Sequence, residues 1–517
     1  GQVYMGRNLH VEGYQTCADC HNPHTLEVKL TDCATCHEDV ESVEDLRDIR
    51  MQGSGSDFDG DGDDNEGIAG EIEGLQELLM AVMQQYAAEV AGTPIVYDTL
   101  AYPYFFIDTN ANGTLDEGEG AFENAYNAFT ANLERAAYNY QVSFKDPGAY
   151  AHNPQYILEL LYDSIMSLNG ALAEPAGDVA FIVRDAPMHF NPVVEAWRHW
   201  DAEGEVPGTC ARCHTAEGLP TFLKNGVNIA AEPTNGLACS TCHDSLSDFT
   251  LPVVADVAFP SGARLSFGEE DESNLCLACH QGRESTVSVN RAIGNLGDDE
   301  VSDRLTFRNI HYFAAGASIF GGEAQGAYQY ADKEYNGRNL HAEDAPNTCA
   351  SCHRPHDGTI RIGECEDCHE VEDPEGVRNI RVTEDVDLID YDGDGNMEEP
   401  IREEITSMED MLYVAIQAYA TETVGTAIAY DAHAHPYWYI DTNGNGVADP
   451  EEVNRDNRYV TWTPTLLRAA YNYQYSQKDP GDFAHNPDYV MQVLFDSLEA
   501  IGADVSAMTR PPVTSNE

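Results

Sequence analysis

The sequence predicts a mainly α-helical chain with much irregular coil, built as two copies of one module on either side of a middle block. Three observations predict it. Long segments carry apolar residues at helical spacing, and strand signals are few. Gly, Pro, Asn and Asp crowd the stretches around a recurring cysteine motif. Long pieces of the first third return near the C-terminus.

Taken in order, the spacing predicts a helix over 72–91 (Ile72, Leu75, Leu78, Leu79, Val82) and its copy over 405–424 (Ile405, Met408, Met411, Leu412, Ala415). Residues 121–141 and 464–475 read as aromatic-rich helices. Asn153-Pro154 and Asn486-Pro487 each open a further helix, because proline fits a first turn. The cysteine-bearing stretches read as loops. The repeat is explicit. Gly6-Arg-Asn-Leu-His10 returns as Gly337-Arg-Asn-Leu-His341, and Ala136–Tyr156 aligns with Ala469–Tyr489 at 16 identities in 21. The modules run over about 1–175 and 331–517, with the middle block at about 176–330.

Charge narrows the partners. The chain of 517 residues carries 90 acidic and 27 basic side chains, a formal balance of −63. That excess disfavours nucleic acid and anionic membrane surfaces, which both select for Lys and Arg. An apolar share of 42% is enough for packed interiors, and no apolar run is long enough to span a bilayer.

The cysteines carry the chemistry. All fourteen (Cys17, Cys20, Cys33, Cys36, Cys210, Cys213, Cys239, Cys242, Cys276, Cys279, Cys349, Cys352, Cys365, Cys368) fall into seven Cys-x-x-Cys-His units. These end at His21, His37, His214, His243, His280, His353 and His369. Two thiols three positions apart form thioethers with the two vinyl groups of one porphyrin, and the following imidazole binds its iron. Zinc or redox dithiol sites need no histidine after every second cysteine, and a disulfide framework would not place one there. The units therefore predict seven covalent c-type haems, two in each module and three in the middle block.

Each iron needs a sixth ligand or stays open. Eleven further histidines for seven positions predict bis-histidine ligation, which favours electron transfer over small-molecule binding. His10 and His341, His24 and His356, and His152 and His485 correspond between the copies, and His311 is the favoured seventh, with His189 next. His199 is the third candidate for that seventh position, with a surface or core residue as the other reading, and His433 and His435, which have no counterpart in the first module, read as ordinary surface or core residues. Three paired histidines for two haems per module imply that one histidine in each serves a neighbouring haem, in the middle block or across a subunit boundary.

Four acidic loops add a second site type. Asp108, Asn110, Asn112, Thr114, Asp116 and Glu119 match an EF-hand loop, as do Asp441, Asn443, Asn445, Val447, Asp449 and Glu452. Asp57, Asp59, Asp61 and Asp63, and likewise Asp390, Asp392, Asp394 and Asn396, start the same pattern. Position 12 is there Ile68 or Ile401, with Glu71 or Glu404 three residues later. Two to four Ca²⁺ ions are expected, in a structural role, since nothing points to a Met-rich groove that opens. The other reading is a solvated acidic turn.

These motifs, with Cys-x-x-Cys-His-x-Pro-His at 17–24 and 349–356 and Ala-His-Asn-Pro at 151–154 and 484–487, resemble the extracellular multihaem c-type cytochromes of metal-reducing or syntrophic prokaryotes. The resemblance covers nearly the whole chain. It implies a distal-ligand role for His152 and His485, covalent haem attachment outside the cytoplasm, and, as in filament-forming cytochrome nanowires, polymerisation with copies of itself. The chain opens with Gly-Gln-Val-Tyr rather than a basic and then apolar leader, so a cleaved signal peptide and an extracellular or cell-surface location are expected. The expected role is electron transport along a chain of haems toward redox partners and extracellular acceptors, not enzymatic. The alternatives are a monomeric secreted or periplasmic shuttle and, less favoured, a multihaem oxyanion reductase. The latter usually keeps one iron open, often with a Cys-x-x-Cys-Lys unit that this chain lacks.

Overall fold

The computed structural model describes residues 2–8, 10–11, 13–37, 39–50, 56–63, 65–175, 179–341, 345–366, 368–381 and 388–514. Leu9 of the repeated segment, Asp64 in the first acidic loop, Asp367 in the last cysteine motif and Ala176 at the expected module boundary lie outside the described residues. The fold is helices and coil, with three two-stranded hairpins among the described residues. Its contacts group into two compact units, Gly1–Pro252 with Pro355–Gly358, and Val253–Arg354 with Thr359–Glu517. The boundaries read from the sequence follow the repeat; this grouping follows packing.

In the first unit the helix Ile68–Tyr86 buries Ile68, Ile72, Leu75, Leu79, Val82, Met83 and Tyr86. Their spacing of three and four makes one apolar stripe. The helix ends through a π turn, Ala87–Ala91, closed by Gly92 in the left-handed region (φ 72°), where a Cβ would be strained. It packs on helices Ala131–Lys145 and Pro154–Asn169, around a core that includes Phe58, Leu133, Leu158, Leu161 and Ile165. The helix expected over 121–141 starts only at Ala131. Thr130 stops it there, because its side chain accepts the Leu133 N–H as an N-cap, and residues 122–124 form only a short 3₁₀ turn. Asn153 caps the Pro154 helix by accepting the Tyr156 N–H.

The second unit repeats these elements as helices Ile401–Tyr419, Pro464–Gln477 and Pro487–Ile501. It adds helices Ser273–His280, Thr286–Ile293 and Ala315–Ala324. Its core is larger and more aromatic, with Trp438, Trp462, Tyr471, Tyr475 and Tyr489 fully buried. In each unit a short hairpin, Ile95–Tyr97 with Phe105–Ile107 or Ile428–Tyr430 with Trp438–Ile440, runs straight into an EF-type loop. Strand pairing thus fixes where the first aspartate of each loop sits: Asp108 N donates to Pro94 O and Asp441 N to Ala427 O, both at 3.1 Å.

One buried difference between the copies carries a prediction. The first copy has Gln76, whose amide donates to Ser143 Oγ at 2.8 Å. The second has Glu409 beside Ser476 and Asp482, all buried. Burial pushes Glu409 up to about 7. Burial, then Glu409, pushes Asp482 well above the usual carboxylate range. A folded-state value above the ordinary 4.5 means the native state holds the extra proton, so this stability is present at pH 4.5 and lost as pH rises through about 7. Glu409→Gln restores the first copy's residue. It should stabilise the second unit at pH 8 by on the order of 2–3 kcal/mol and leave pH 4.5 unchanged, read from denaturant melts at both pH values. Equal effects at both would refute the assignment.

Candidate haem and cation sites

The cysteine motifs are not plain loops. Cys17–Cys20, Cys239–Cys242 and Cys349–Cys352 each form one helical turn. Gly208–His214 and Ser273–His280 are longer helices that contain a motif. A local bond explains the turn: the His21, His37, His243, His353 and His369 N–H groups each donate to the carbonyl of the first cysteine, at 2.8–2.9 Å. The residue before the second cysteine caps three of the turns from inside the motif. Asp19 Oδ2 accepts from Thr16 N at 2.8 Å, and Ser351 and Thr241 accept from Thr348 and Ala238 in the same way. None of the cysteines is in a disulfide.

The histidines meet in pairs. Ring centres lie 6.3 Å apart for His10 and His37, and 6.2 Å for His21 and His152. The copies give 6.1 Å for His341 and His369, and 6.4 Å for His353 and His485. His243 and His356 are 6.3 Å apart. Two imidazoles bound on opposite sides of one metal, each through a bond of about 2 Å, put their ring centres about 6 Å apart. Five pairs at this one spacing fit an iron between each of them. His24, the copy of His356, is exposed on the turn after His21, its N–H on Asn22 Oδ1, and no histidine pairs with it among the described residues. His311 sits at φ 79° with its N–H on Asn309 Oδ1. His189 lies in a 3₁₀ turn, Met188–Phe190. His199 has Nδ1 2.7 Å from Glu195. His433 donates its backbone N–H to Asp431, and His435 rests against the Tyr437 ring.

Outer partners fix the rings. His21, His214, His243 and His280 place Nδ1 against the carbonyls of Leu26, Ala196, Phe249 and Phe313, at 2.7–3.1 Å. That bond selects the tautomer that leaves Nε2 for a metal. Leu26, Phe249 and Phe313 all have positive φ, 62°, 51° and 51°. Non-glycine residues seldom adopt this strained backbone, and here it presents the accepting carbonyl. Nothing in these apolar side chains announces that role in the sequence. His152 and His485 instead face carboxylates, with Nδ1 at 2.8–2.9 Å from both oxygens of Asp146 and Asp479. Burial opposes ionisation of Asp479, but the charge and hydrogen bond of His485 outweigh it and hold its carboxyl below the usual range. Burial lowers His10, His37, His280 and His369, which keeps them neutral and ready to ligate.

Thiols also come close across motifs. Cys276 and Cys349 share a hydrogen bond between their sulfurs, which lowers Cys276 and raises Cys349. Cys20 lies near enough to Cys33, and Cys352 to Cys365, to raise the later thiol, after burial. The first two motifs are therefore neighbours, and so are the last three in turn.

The EF-type loops are folded around their aspartates. Asp108 Oδ2 accepts from Gly113 N at 2.7 Å, and Asp441 Oδ2 from Gly446 N at 2.8 Å. Both glycines have positive φ, as the sharp turn at position 6 demands. Glu119 and Glu452 accept the N–H of position 2, Thr109 and Thr442, at 2.7 Å each. The helices brace the loops through Gln84 on Gly113 O and Gln417 on Gly446 O. Asp57 and Asp390 grip Gly62 and Gly395 in the same manner.

Motif turns that carry paired, outer-bonded histidines define a multihaem c-type cytochrome. The relatives agree. The chain is similar to the C-type polyheme cytochrome OmcB of Geobacter sulfurreducens, 27% identical over 422 residues, 69% of this chain and 52% of the relative. It is similar to the C-type polyheme cytochrome OmcC of the same organism, 26% identical over 482 residues, 79% of this chain and 58% of the relative. The chain thus spans somewhat over half the length of the curated relatives it matches. No family model and no solved structure matches it. No described helix is long and apolar enough to cross a membrane.

Proposed function

We propose that this chain conducts electrons outside the cell along seven covalently held c-type haems, as the repeating subunit of a polymeric filament. The observation that carries the reading is the set of five histidine pairs at 6.1–6.4 Å. An iron with imidazole on both sides is closed to substrate and passes electrons without bond chemistry. The haems supply the redox change; the protein holds the ligands, fixes their tautomers and excludes water. Seven motifs in 517 residues is about 74 residues per haem, which leaves little polypeptide between cofactors. On this reading the 108–119 and 441–452 loops each bind Ca²⁺, offset part of the −63 charge and tie the hairpins to the helices.

His24 supports the filament. Its copy, His356, lies with its ring centre 6.3 Å from that of His243, in a motif outside the repeat. By the same relation His24 belongs to a haem site that its own module does not supply. We place it at the junction with a second copy, a head-to-tail contact that propagates. The test is electron cryo-microscopy and gel filtration of the purified holoprotein and of His24→Ala. Filaments are expected for the wild type, and folded, fully haem-loaded monomers for the variant. Filaments that persist in His24→Ala would refute the junction; a wild type that is monomeric at all concentrations would leave a secreted shuttle.

A further inference from the structure

Loops 57–71 and 390–404 differ from the EF-type loops in a way that has a physical cause. Their position 12, Ile68 or Ile401, is the first residue of a long helix and is buried in the core. A carboxylate cannot serve there. Three residues on, one helical turn returns the chain to the same side, and the glutamate appears at position 15. It fills the same corner. Glu71 Oε2 accepts from Phe58 N at 2.7 Å and Glu404 Oε2 from Tyr391 N at 2.9 Å, the position-2 bonds that Glu119 and Glu452 make in the other loops. Both glutamates are fully buried.

We propose that these two loops are a second class of calcium site, in which carboxylates at positions 1, 3, 5, 10 and 15 hold one Ca²⁺ each. Asp57, Asp59 and Asp61 bring oxygens within 4.8 Å of one another, and so do Asp59, Glu66 and Glu71. In the second copy the groups are Asp390, Asp392 and Glu404, and Asp392, Asp394 and Glu399. In each copy position 3 belongs to both groups, so five carboxylates converge on it. A span of this size fits oxygens on one ion at about 2.4 Å.

An independent observation points to a ligand. Asp392 is only 4% exposed, yet its Oδ2 is buried without a hydrogen-bond partner among the described residues, while Oδ1 accepts from Asp394 N. Glu399 Oε1, and Glu66 Oε1 in the first copy, are buried and unpartnered too. Orphan carboxylate oxygens are costly, because the lost hydration is not replaced. Arg50 and Arg381 neutralise only Glu71 and Glu404, at 2.8 and 2.7 Å. Five carboxylates less one guanidinium leave four negative charges at each site. The donors are all oxygen, which selects a hard cation. Ca²⁺ accepts many carboxylates in irregular geometry, whereas Mg²⁺ demands a regular octahedron and keeps waters.

The ion has a place in the architecture. The position-2 residue of each loop also holds the chain that follows the helices: Val183 N donates to Phe58 O at 3.0 Å and Thr509 N to Tyr391 O at 3.1 Å. Gly60 and Gly393 lie against the backbone of Phe181 and Ala507, where a Cβ would stand 2.9 or 2.7 Å away. A cation here clamps the start of each helical bundle to the segment that leaves it.

The test is calcium stoichiometry on the intact holoprotein after chelation and reloading with CaCl₂, by inductively coupled plasma mass spectrometry and calorimetry. Four ions per chain are expected. Asp392→Asn and the less buried Glu399→Gln should each remove one, with an unchanged Soret spectrum showing that the unit is folded. Glu452→Gln should remove a different one, additively. Two ions per chain, unaffected by Asp392→Asn and Glu399→Gln but lost with Glu119→Gln and Glu452→Gln, would overturn this inference and leave the EF-type loops standing. Mg²⁺ displacing Ca²⁺ at equal concentration would overturn the choice of ion.

Discussion

Replacing His485 with alanine is expected to turn one iron of the proposed seven high-spin and open it to carbon monoxide, with the other six unchanged. His485 lies on the turn Asp482–His485, and its ring centre is 6.4 Å from that of His353. Asp479 holds its Nδ1 through both carboxylate oxygens. Alanine removes the ligand and strands a buried carboxylate, so part of the effect would fall on stability. The double change His485→Ala with Asp479→Ala removes that charge and isolates the ligand loss. His152→Ala tests the same position in the first copy at a more exposed site, where His152 is 55% exposed. Optical and paramagnetic resonance spectra of the reduced and oxidised protein would read the outcome. Low-spin iron throughout, with no carbon monoxide binding in any of the three variants, would defeat the pairing.

Trp438→Ala is expected to cost the second unit about 3–5 kcal/mol, the range for removing a large aromatic from a packed core. Trp438 is fully buried and stands among Tyr430, Tyr473, Phe307, Trp462 and Tyr413, with ring centres 4.7–6.3 Å away. Its indole N–H has no hydrogen-bond partner among the described residues, so packing holds the side chain. It also begins the strand Trp438–Ile440 that delivers Asp441 to the EF-type loop. The loss should therefore show first as faster amide exchange in that hairpin and as weaker binding of the calcium proposed for 441–452. Its counterpart Phe105 is 8% exposed in a less aromatic core, and Phe105→Ala should cost less. A Trp438 effect below about 1 kcal/mol would mean that the aromatic cluster is not the unit's core.

Much of this protein is legible without coordinates because its chemistry is local. A Cys-x-x-Cys-His motif occupies five consecutive residues, an EF-type loop twelve, and a helix start such as Asn486-Pro487 needs only its own first turn. Helical periodicity located the Ile68 and Ile401 helices for the same reason, since each buries one stripe. Where the reading erred, a neighbour intervened: Thr130 as a cap, not the aromatic pattern before it, decided where the 131–145 helix starts. The sequence by itself determined where the seven Cys-x-x-Cys-His units fall, that segments of the first third return near the C-terminus, and that eleven histidines stand outside those units. Only the tertiary structure decided which histidines meet, as His356 with His243 and His10 with His37 do. It alone brought Leu26, Phe249 and Phe313 to their histidines, and Glu66 and Glu71 to Asp59. Partners of that kind are set by packing between segments distant along the chain or by a strained backbone angle, and neither leaves a mark in residue type or spacing.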